Sequence, residues 1–288
     1  MPNRPHTAPA SARPSGSSRS SIRRRLSVLL VTALTAVTVL VATPAPVAAA
    51  TAAATPGDMA TMFLDAINHD RGAKGLVAYR AWSSLTALAS ERAGRMAAAH
   101  DLSHATAGGN VGDALDAAGI AWMGYGEIIA ASSYPWGPES VANIDGLWTN
   151  SPPHASIMFS ASYNYVGIGV VQADDGTTWV SAVMTESPDH TAPGARNGAL
   201  RLRGGNDIVF SWSGSDPRLQ THTAGIASYD VLARKDGGRW IRVRNHTTAT
   251  SLRLANRLAG HWWTFRVQAR DRRGNLSKWT SDIRIRVP

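Results

Sequence analysis

The chain has 288 residues, a formal net charge of +9 and no cysteine. This length is more than one ordinary hydrophobic core needs, so it predicts two domains. Without cysteine the chain cannot form disulfides, a thiolate nucleophile or a Cys-ligated zinc site. Packing alone must therefore stabilise the folded parts.

The charge is distributed unevenly along the chain. Residues 1–50 contain six arginines and no acidic residue. Residues 51–190 contain five basic and fourteen acidic residues, which gives −9, and residues 191–288 contain eighteen basic and six acidic residues, which gives +12. The charge of the whole chain is therefore a poor guide to its partners, and we do not expect it to bind nucleic acid.

Residues 1–50 have the features of a secretory signal peptide. Three arginines at 23–25 precede an apolar run over residues 26–42, and the small residues 48–50 offer a cleavage site. The alternative is an uncleaved anchor, although the apolar run is short for a membrane span and contains three threonines. Both alternatives predict a secreted or extracellular protein.

Residues 57–185 predict helices followed by an antiparallel pair of strands. Apolar residues recur at helical spacing from Asp58 onward, and further helices are predicted over residues 84–100, 112–118 and 138–148. Strands are predicted over residues 166–172 and 179–184, with the turn signal Asp174-Asp175-Gly176 between them. Helices that precede strands, rather than alternate with them, indicate an α+β fold.

Five motifs in this region resemble those of the CAP superfamily (SCP-like; cysteine-rich secretory, antigen 5 and pathogenesis-related proteins). They are Ile67-Asn68 followed by Arg71, then Ser103-His104, then Gly126-Glu127-Ile128-Ile129-Ala130, then Trp148 followed by Ser151-Pro152 and His154, and last Val166-Gly167-Ile168-Gly169-Val170. The motifs occur in the order expected for the family. The resemblance, which is to bacterial members, implies a CAP-type α-β-α sandwich over residues 57–185.

The resemblance also implies a cleft lined by two histidines and acidic partners, which can hold a divalent metal such as zinc. The matching positions are His104, Glu127 and His154. Many members carry a second Glu just after the Trp, but Asn150 stands at that place here, and Ile128 replaces an Asn that follows the first Glu. These differences leave two imidazoles and one carboxylate in the expected cleft.

These residue types suit two different roles. Imidazole and carboxylate both bind Zn²⁺, and three protein ligands leave one position for a water molecule. Glu127 could serve as a ligand or as the general base, but not comfortably as both. The alternative is a hydrogen-bonded cluster of His104, Glu127 and His154 that stabilises the cleft without a metal. The sequence alone leaves both alternatives open.

The rest of the chain predicts a second, all-β domain. Residues 186–199 are rich in Pro, Gly and Asn and are expected to form a linker. Residues 200–288 contain short alternating strands and resemble a fibronectin-III-like β-sandwich, with Trp212 in its core. Arginines alternate with apolar residues over 241–244, 265–267 and 283–287, which predicts one basic sheet face. That face is either ordinary solvated surface or a docking site for an acidic surface, which could be an anionic cell-envelope polymer or the acidic first domain itself.

The leading hypothesis is a secreted binding or accessory protein whose cleft holds a small apolar or glycan ligand. The first alternative is a metal-assisted hydrolase of extracellular or cell-wall polymer, with Glu127 as its catalytic residue. A purely structural adhesion protein is the second alternative. The missing second Glu and the absence of a Gly-x-Ser-x-Gly motif favour binding over catalysis.

Overall fold

The computed structural model describes residues 53–288. The predicted signal peptide over residues 1–50 lies outside this range. No helix within residues 53–288 is both long enough and apolar enough to cross a membrane.

The first module contains five helices and four strands. In chain order they are α1 (Pro56–Ala73), β1 (Arg80–Ala81), α2 (Ser83–Ala99), α3 (Val111–Ala117), β2 (Gly124–Ser132), α4 (Pro138–Thr149), α5 (Pro152–Met158), β3 (Tyr165–Gln172) and β4 (Thr178–Glu186). The strands form one sheet in the order β1-β3-β4-β2, in which β1 is parallel to β3 and the other neighbours are antiparallel. Strand β2 is therefore an edge strand.

Helices cover both faces of this sheet. Helix α2 packs across β3 and β4 on one face, with α3 beside it, and α1, α4 and α5 lie on the other face. The buried rings of Phe63 on α1 and Trp148 on α4 lie 5.7 Å apart within the larger core. This arrangement confirms the predicted α+β class and the α-β-α sandwich.

Two glycines set the close approach of α2 to the sheet. A Cβ atom on Gly167 would lie 2.0 Å from the backbone of Leu85, and one on Gly169 would lie 2.2 Å from the backbone of Ala89. The intervening Ile168 is buried in the opposite core. The Val-Gly-Ile-Gly pattern therefore reflects a strand with a bare side against α2 and an apolar side against α1 and α4.

Strand β2 and helix α5 are absent from the sequence prediction. Strand β2 contains Gly124, Gly126 and the charged Glu127, and these residues obscure its apolar alternation. Helix α5 is only seven residues long and begins with Pro152, which is favourable at the first helical position. Neither element has a long periodic pattern.

The second module is a sandwich of two antiparallel sheets, which confirms the predicted fold. Its strands are β5 (Gly194–Arg203), β6 (Asp207–Ser215), β7 (Ile226–Lys235), β8 (Ile241–Thr247), β9 (Ser251–Leu254), β10 (Trp262–Asp271) and β11 (Ile283–Arg286). One sheet has the order β5-β6-β9 and the other β11-β10-β7-β8. Because β5 begins at Gly194, the linker predicted over residues 186–199 is too long, and its last part is a strand.

The connection between the modules is hydrogen-bonded rather than free. Asp189, which is 2% exposed, accepts hydrogen bonds from the Tyr165 hydroxyl of β3 and from the backbone N–H of Ala224. The Gln220 side chain accepts a bond of 2.7 Å from the N–H of Val77 in the first module. These contacts join the loops of the sandwich directly to the α-β-α module.

Candidate functional site

Glu127, one of the residues that the sequence places in the expected cleft, is on strand β2 at the centre of a polar cluster. Its carboxylate is buried and lies on the face of the sheet that α2 covers. Oε1 accepts hydrogen bonds from Arg92 Nε at 2.6 Å and from the Ser181 hydroxyl at 2.7 Å. Oε2 interacts with Arg92 Nη2 and with His104 Nδ1, each at 2.7 Å. These four contacts occupy the lone-pair positions that a carboxylate offers.

The surroundings of Glu127 hold it in the ionised form. Burial by itself would raise the pKa of this carboxyl group, but hydrogen bonds from Arg92, Ser181 and His104, together with the Arg92 charge, outweigh it. The pKa of Glu127 therefore lies below its usual value. An ionised carboxylate surrounded by donors is well suited to orienting a neighbour and poorly suited to accepting a proton.

His104 lies in the loop that follows α2 and remains more than half exposed. Helix α2 ends at His100 in a left-handed conformation, with a φ of 48°, and this turn redirects the chain toward β2. Because Glu127 is ionised, His104 Nδ1 carries the proton and donates to it. The Nε2 atom is then the ring nitrogen that does not contact Glu127.

His154 lies on α5, in the helical layer on the other face of the sheet. Its Nδ1 atom is buried without a hydrogen-bond partner among the described residues. Burial lowers the pKa of His154, and the neighbouring His104 lowers it further. Both influences favour the neutral form of the His154 imidazole.

The geometry gives the four predicted cleft residues different roles. His104 and Glu127 are in direct contact. Asn150 is exposed, and its amide donates 2.8 Å back to the carbonyl of Gly146 in its own helix. Within residues 53–288, the trio of His104, Glu127 and His154 does not bring one ligand atom each to within 4.8 Å of the others. With its acceptor positions occupied, Glu127 does not fit as a direct metal ligand. The imidazoles of His104 and His154 are the remaining groups of the trio that are of a metal-binding type.

Arg92 and Ser181 are the site residues that the motifs do not reveal. Arg92 is buried on the inner side of α2, where it follows Leu85, Leu88 and Ala89 at helical spacing. A charged residue on an apolar helix face requires a buried partner of opposite charge. The position of Arg92 in the sequence therefore indicates that an acidic partner lies nearby in the core. Ser181 lies between Val180 and Ala182 in β4, and nothing in that strand pattern distinguishes it.

Comparison with known families bears on the first module. The family model described as "CAP: Cysteine-rich secretory protein family" matches residues 64–183. This segment spans α1 to β4 and includes the whole cluster around Glu127. Residues 64–183 are therefore a CAP domain, as the five motifs indicate.

Solved structures with similar folds include CAP and fibronectin-III proteins. An extracellular protein containing an SCP domain from Bacillus anthracis is 21% identical, with a TM-score of 0.39; the match covers 48% of this chain and 45% of that one. An outer surface protein from Borrelia burgdorferi is 14% identical, with a TM-score of 0.42 and coverage of 46% and 96%. A Fn3-like protein from Clostridium thermocellum is 20% identical, with a TM-score of 0.26 and coverage of 34% and 96%. The chain thus spans less than half of the B. anthracis protein, and the CAP assignment depends on the family match alone.

Proposed function

We propose that this protein is an extracellular binding module whose ligand site is centred on His104 and His154. The observation that carries the proposal is the bond between Glu127 Oε2 and His104 Nδ1 in a carboxylate that is otherwise fully occupied. That bond fixes the His104 ring and leaves Nε2 for a ligand or a metal. Glu127 then acts as a supporting group rather than as a contact.

The same bonds favour binding over the alternative of a hydrolase. A general base needs a free lone pair and a pKa near the working pH. Glu127 has a lowered pKa and accepts two hydrogen bonds from the Arg92 guanidinium. Proton uptake by Glu127 would break a buried ion pair, which makes it a poor catalytic base.

A divalent metal such as zinc, if bound, would be held by the two imidazoles. A carboxylate that accepts from one ring nitrogen commonly orients the other nitrogen toward zinc. His104 has this arrangement, and the buried Nδ1 of His154 has no partner in the described chain. When bound, the ion would supply Lewis acidity and a position for a ligand oxygen.

The organic ligand that we propose is a small apolar or glycan-like molecule. Tyr125 lies two residues before Glu127 on β2, so both side chains lie on the same face of the strand. The Tyr125 ring packs edge-on against Trp122, with the ring centroids 4.8 Å apart. An aromatic pair next to a polar cluster is a surface on which an apolar molecule or a sugar ring can pack.

Zinc titration tests the metal-binding part of this proposal. We expect the protein to bind zinc, His104→Ala and His154→Ala each to bind it about tenfold more weakly or worse, and the double variant not to bind. His246→Ala, an exposed histidine of the second module, is the matched control and should bind as the unmodified protein does. Equal binding by the double variant and the unmodified protein would refute the assignment.

For the second module we propose docking to an anionic cell-envelope polymer through one sheet face. The register pairs Thr264 with both Arg234 and Arg284, so the side chains at these positions project from the same face of adjacent strands. Arg266 lies on this face between the rings of Trp240 and Trp279, and Arg284 lies over Trp262. Stacking on a ring leaves the edge of a guanidinium group available to an anion.

Retention on isolated envelope material tests the docking proposal. Arg284→Glu with Arg286→Glu should reduce retention at low salt, and high salt should remove most of the difference. The matched control is Arg201→Glu with Arg203→Glu, which makes the same charge change on the exposed side of β5 in the other sheet. An equal loss in both double variants would reduce the effect to net charge and contradict a specific face.

A further inference from the structure

A groove between α2 and α3 lies on the far side of Arg92 from the proposed ligand site. Its volume is about 580 Å³, and Arg92, Arg95, Gly108 and Asp113 are among the residues that line it. Arg92 is shared with the cluster around Glu127, which it contacts through Nε and Nη2, whereas Arg95, Gly108 and Asp113 are not part of that cluster. The groove is therefore a separate feature, and an inference about it does not depend on metal binding.

Arg92 brings an unsatisfied donor group to this groove. The side chain is 2% exposed, and its Nε and Nη2 atoms bond to Glu127 and to the carbonyl of Gly109. Its Nη1 atom is buried without a partner among the described residues. A buried guanidinium N–H without an acceptor is costly, so an acceptor supplied by a ligand would be stabilising.

Arg95 and Gly108 place a second guanidinium beside this atom. A Cβ on Gly108 would lie 2.1 Å from Arg95 Nη1 and 3.6 Å from Arg92 Nη1. Both arginines thus approach the bare side of Gly108, where φ is +120°. Arg95 is half exposed; it forms an ion pair with Glu91 and donates a long hydrogen bond of 3.3 Å to the Ala107 carbonyl. Both contacts are weak, so Arg95 can turn toward an incoming ligand at modest cost.

The acidic residues that line the groove determine which anion fits. Asp113 in the first turn of α3 and Glu91 on α2 also line the groove, between the small side chains of Ala87, Ala114 and Ala117. Two carboxylates repel a phosphate dianion more strongly than a monoanion. They would also attract an ammonium group. A small carboxylate that also carries an amine therefore complements both the two arginines and the two acidic residues of the groove.

We infer that the groove between α2 and α3 binds a small carboxylate of the amino-acid type, whose carboxyl group accepts hydrogen bonds from Arg92 Nη1 and Arg95. The ligand would then be one residue away from Glu127, because Arg92 contacts both. Occupancy of the groove should consequently be detectable at the His104 ring.

The test is an NMR titration of the ¹⁵N-labelled protein with four probes: glycine, acetate, glycinamide and inorganic phosphate. Glycine and acetate should shift the amide signals of Gly108 and Asp113 and the ring signals of His104 in a saturable way. Glycinamide lacks the carboxylate and should shift none of them. Arg95→Gln should weaken glycine binding about tenfold, because one charge-assisted hydrogen bond is lost.

Arg80→Gln, an exposed arginine on β1, is the control and should bind glycine as the unmodified protein does. A second variant, Gly108→Ala, should also block binding, because its Cβ displaces the Arg95 side chain. Amide dispersion in each spectrum shows that the variant is folded. The inference is overturned if glycine causes no shift, if Arg95→Gln binds it equally well, or if phosphate binds more tightly than both carboxylates.

Discussion

The guanidinium group of Arg92 and the carboxylate of Glu127 form a two-bond ion pair in which both side chains are only 2% exposed. The pair joins α2 to the edge strand β2. It also holds Oε2, the oxygen that orients His104. Because a buried charge is stable only with its partner, the proposed ligand site and the stability of the CAP domain depend on the same contact.

We predict that Glu127→Gln lowers the free energy of unfolding by about 3–5 kcal/mol, because it leaves the buried Arg92 charge unpaired. Equilibrium urea unfolding at pH 7 measures this change. Glu91→Gln is the matched control: it removes the partner of the exposed Arg95 and should cost less than about 1 kcal/mol. Similar losses of unfolding free energy in the two variants would show that the buried Arg92–Glu127 pair stabilises the fold no more than the exposed Arg95–Glu91 pair does.

The acid limb of the stability curve should also depend on Glu127. The pKa of Glu127 in the folded protein is below the ordinary value of 4.5, so below that value the unfolded state binds more protons than the folded state. The stabilisation is fully present above pH 4.5 and is lost as the pH falls through the folded pKa. When unfolding is measured at a series of pH values from 7 to 3, the free energy of unfolding of Glu127→Gln should decline less than that of the unmodified protein. An equal decline in both proteins would contradict the lowered pKa of Glu127.

Asp145 on α4 should show the opposite pH dependence. Burial, with the nearby Asp70 charge, raises its pKa from 3.8 to about 6, so the folded state holds the proton more tightly than the unfolded state. Stability therefore falls as the pH rises from 3.8 to 6, and the full penalty remains above pH 6. Asp145→Asn should be more stable than the unmodified protein at pH 7.5, by about 1 kcal/mol after allowance for partial exposure.

Near pH 4 the Asp145→Asn variant and the unmodified protein should differ little. Asp174→Asn, in the exposed turn between β3 and β4, is the control and should have no comparable effect at either pH. Thermal unfolding at both pH values gives the comparison. A gain that is equal at pH 4 and pH 7.5 would point to a cause other than titration.

The contact between α2 and β3 predicts opposite effects for two glycine substitutions. Gly169→Ala should lower the free energy of unfolding by at least about 3 kcal/mol, because its Cβ would collide with the backbone of Ala89. Backbone atoms cannot move aside as the end of a flexible side chain can. Gly94 is in α2, and a Cβ atom there would have no atom within 4 Å. Gly94→Ala should therefore raise the free energy of unfolding by about 0.5–1 kcal/mol. Thermal unfolding of both variants is sufficient, and a neutral Gly169→Ala would show that α2 can move away from the sheet.

Most helices of the first module and its β3-β4 pair could be predicted from the sequence. They include the seven-residue α3, which is predicted over residues 112–118 and observed at Val111–Ala117. Helices α1, α2 and α4 and strands β3 and β4 lie within a few residues of their predicted bounds because each buries a regular apolar face. The edge strand β2 and the short helix α5 depend on their neighbours in the fold. Strand β5 lies in a segment whose glycines and proline indicate a linker.

Part of the candidate site's geometry, the contact between His104 and Glu127, agrees with the motif-based expectation. The motifs identify His104, Glu127 and His154, and the structure brings the first two into contact. They do not indicate that Arg92 and Ser181 occupy Glu127, because hydrogen bonds between α2, β2 and β4 arise only when the sheet assembles. The change of Glu127 from expected ligand to supporting carboxylate follows from those tertiary contacts.

The anchoring of Asp189 between β3 and the loop that contains Ala224 has a consequence for avidity. These hydrogen bonds connect the CAP domain to the sandwich that carries the basic sheet. An envelope component that presented both of the proposed ligands would meet the second site at an effective concentration set by the spacing of the two modules. Two weak attachments can then act as one strong attachment without any additional contact. Under the proposed docking, the short connection around Asp189 would therefore increase the retention of the protein on the cell envelope.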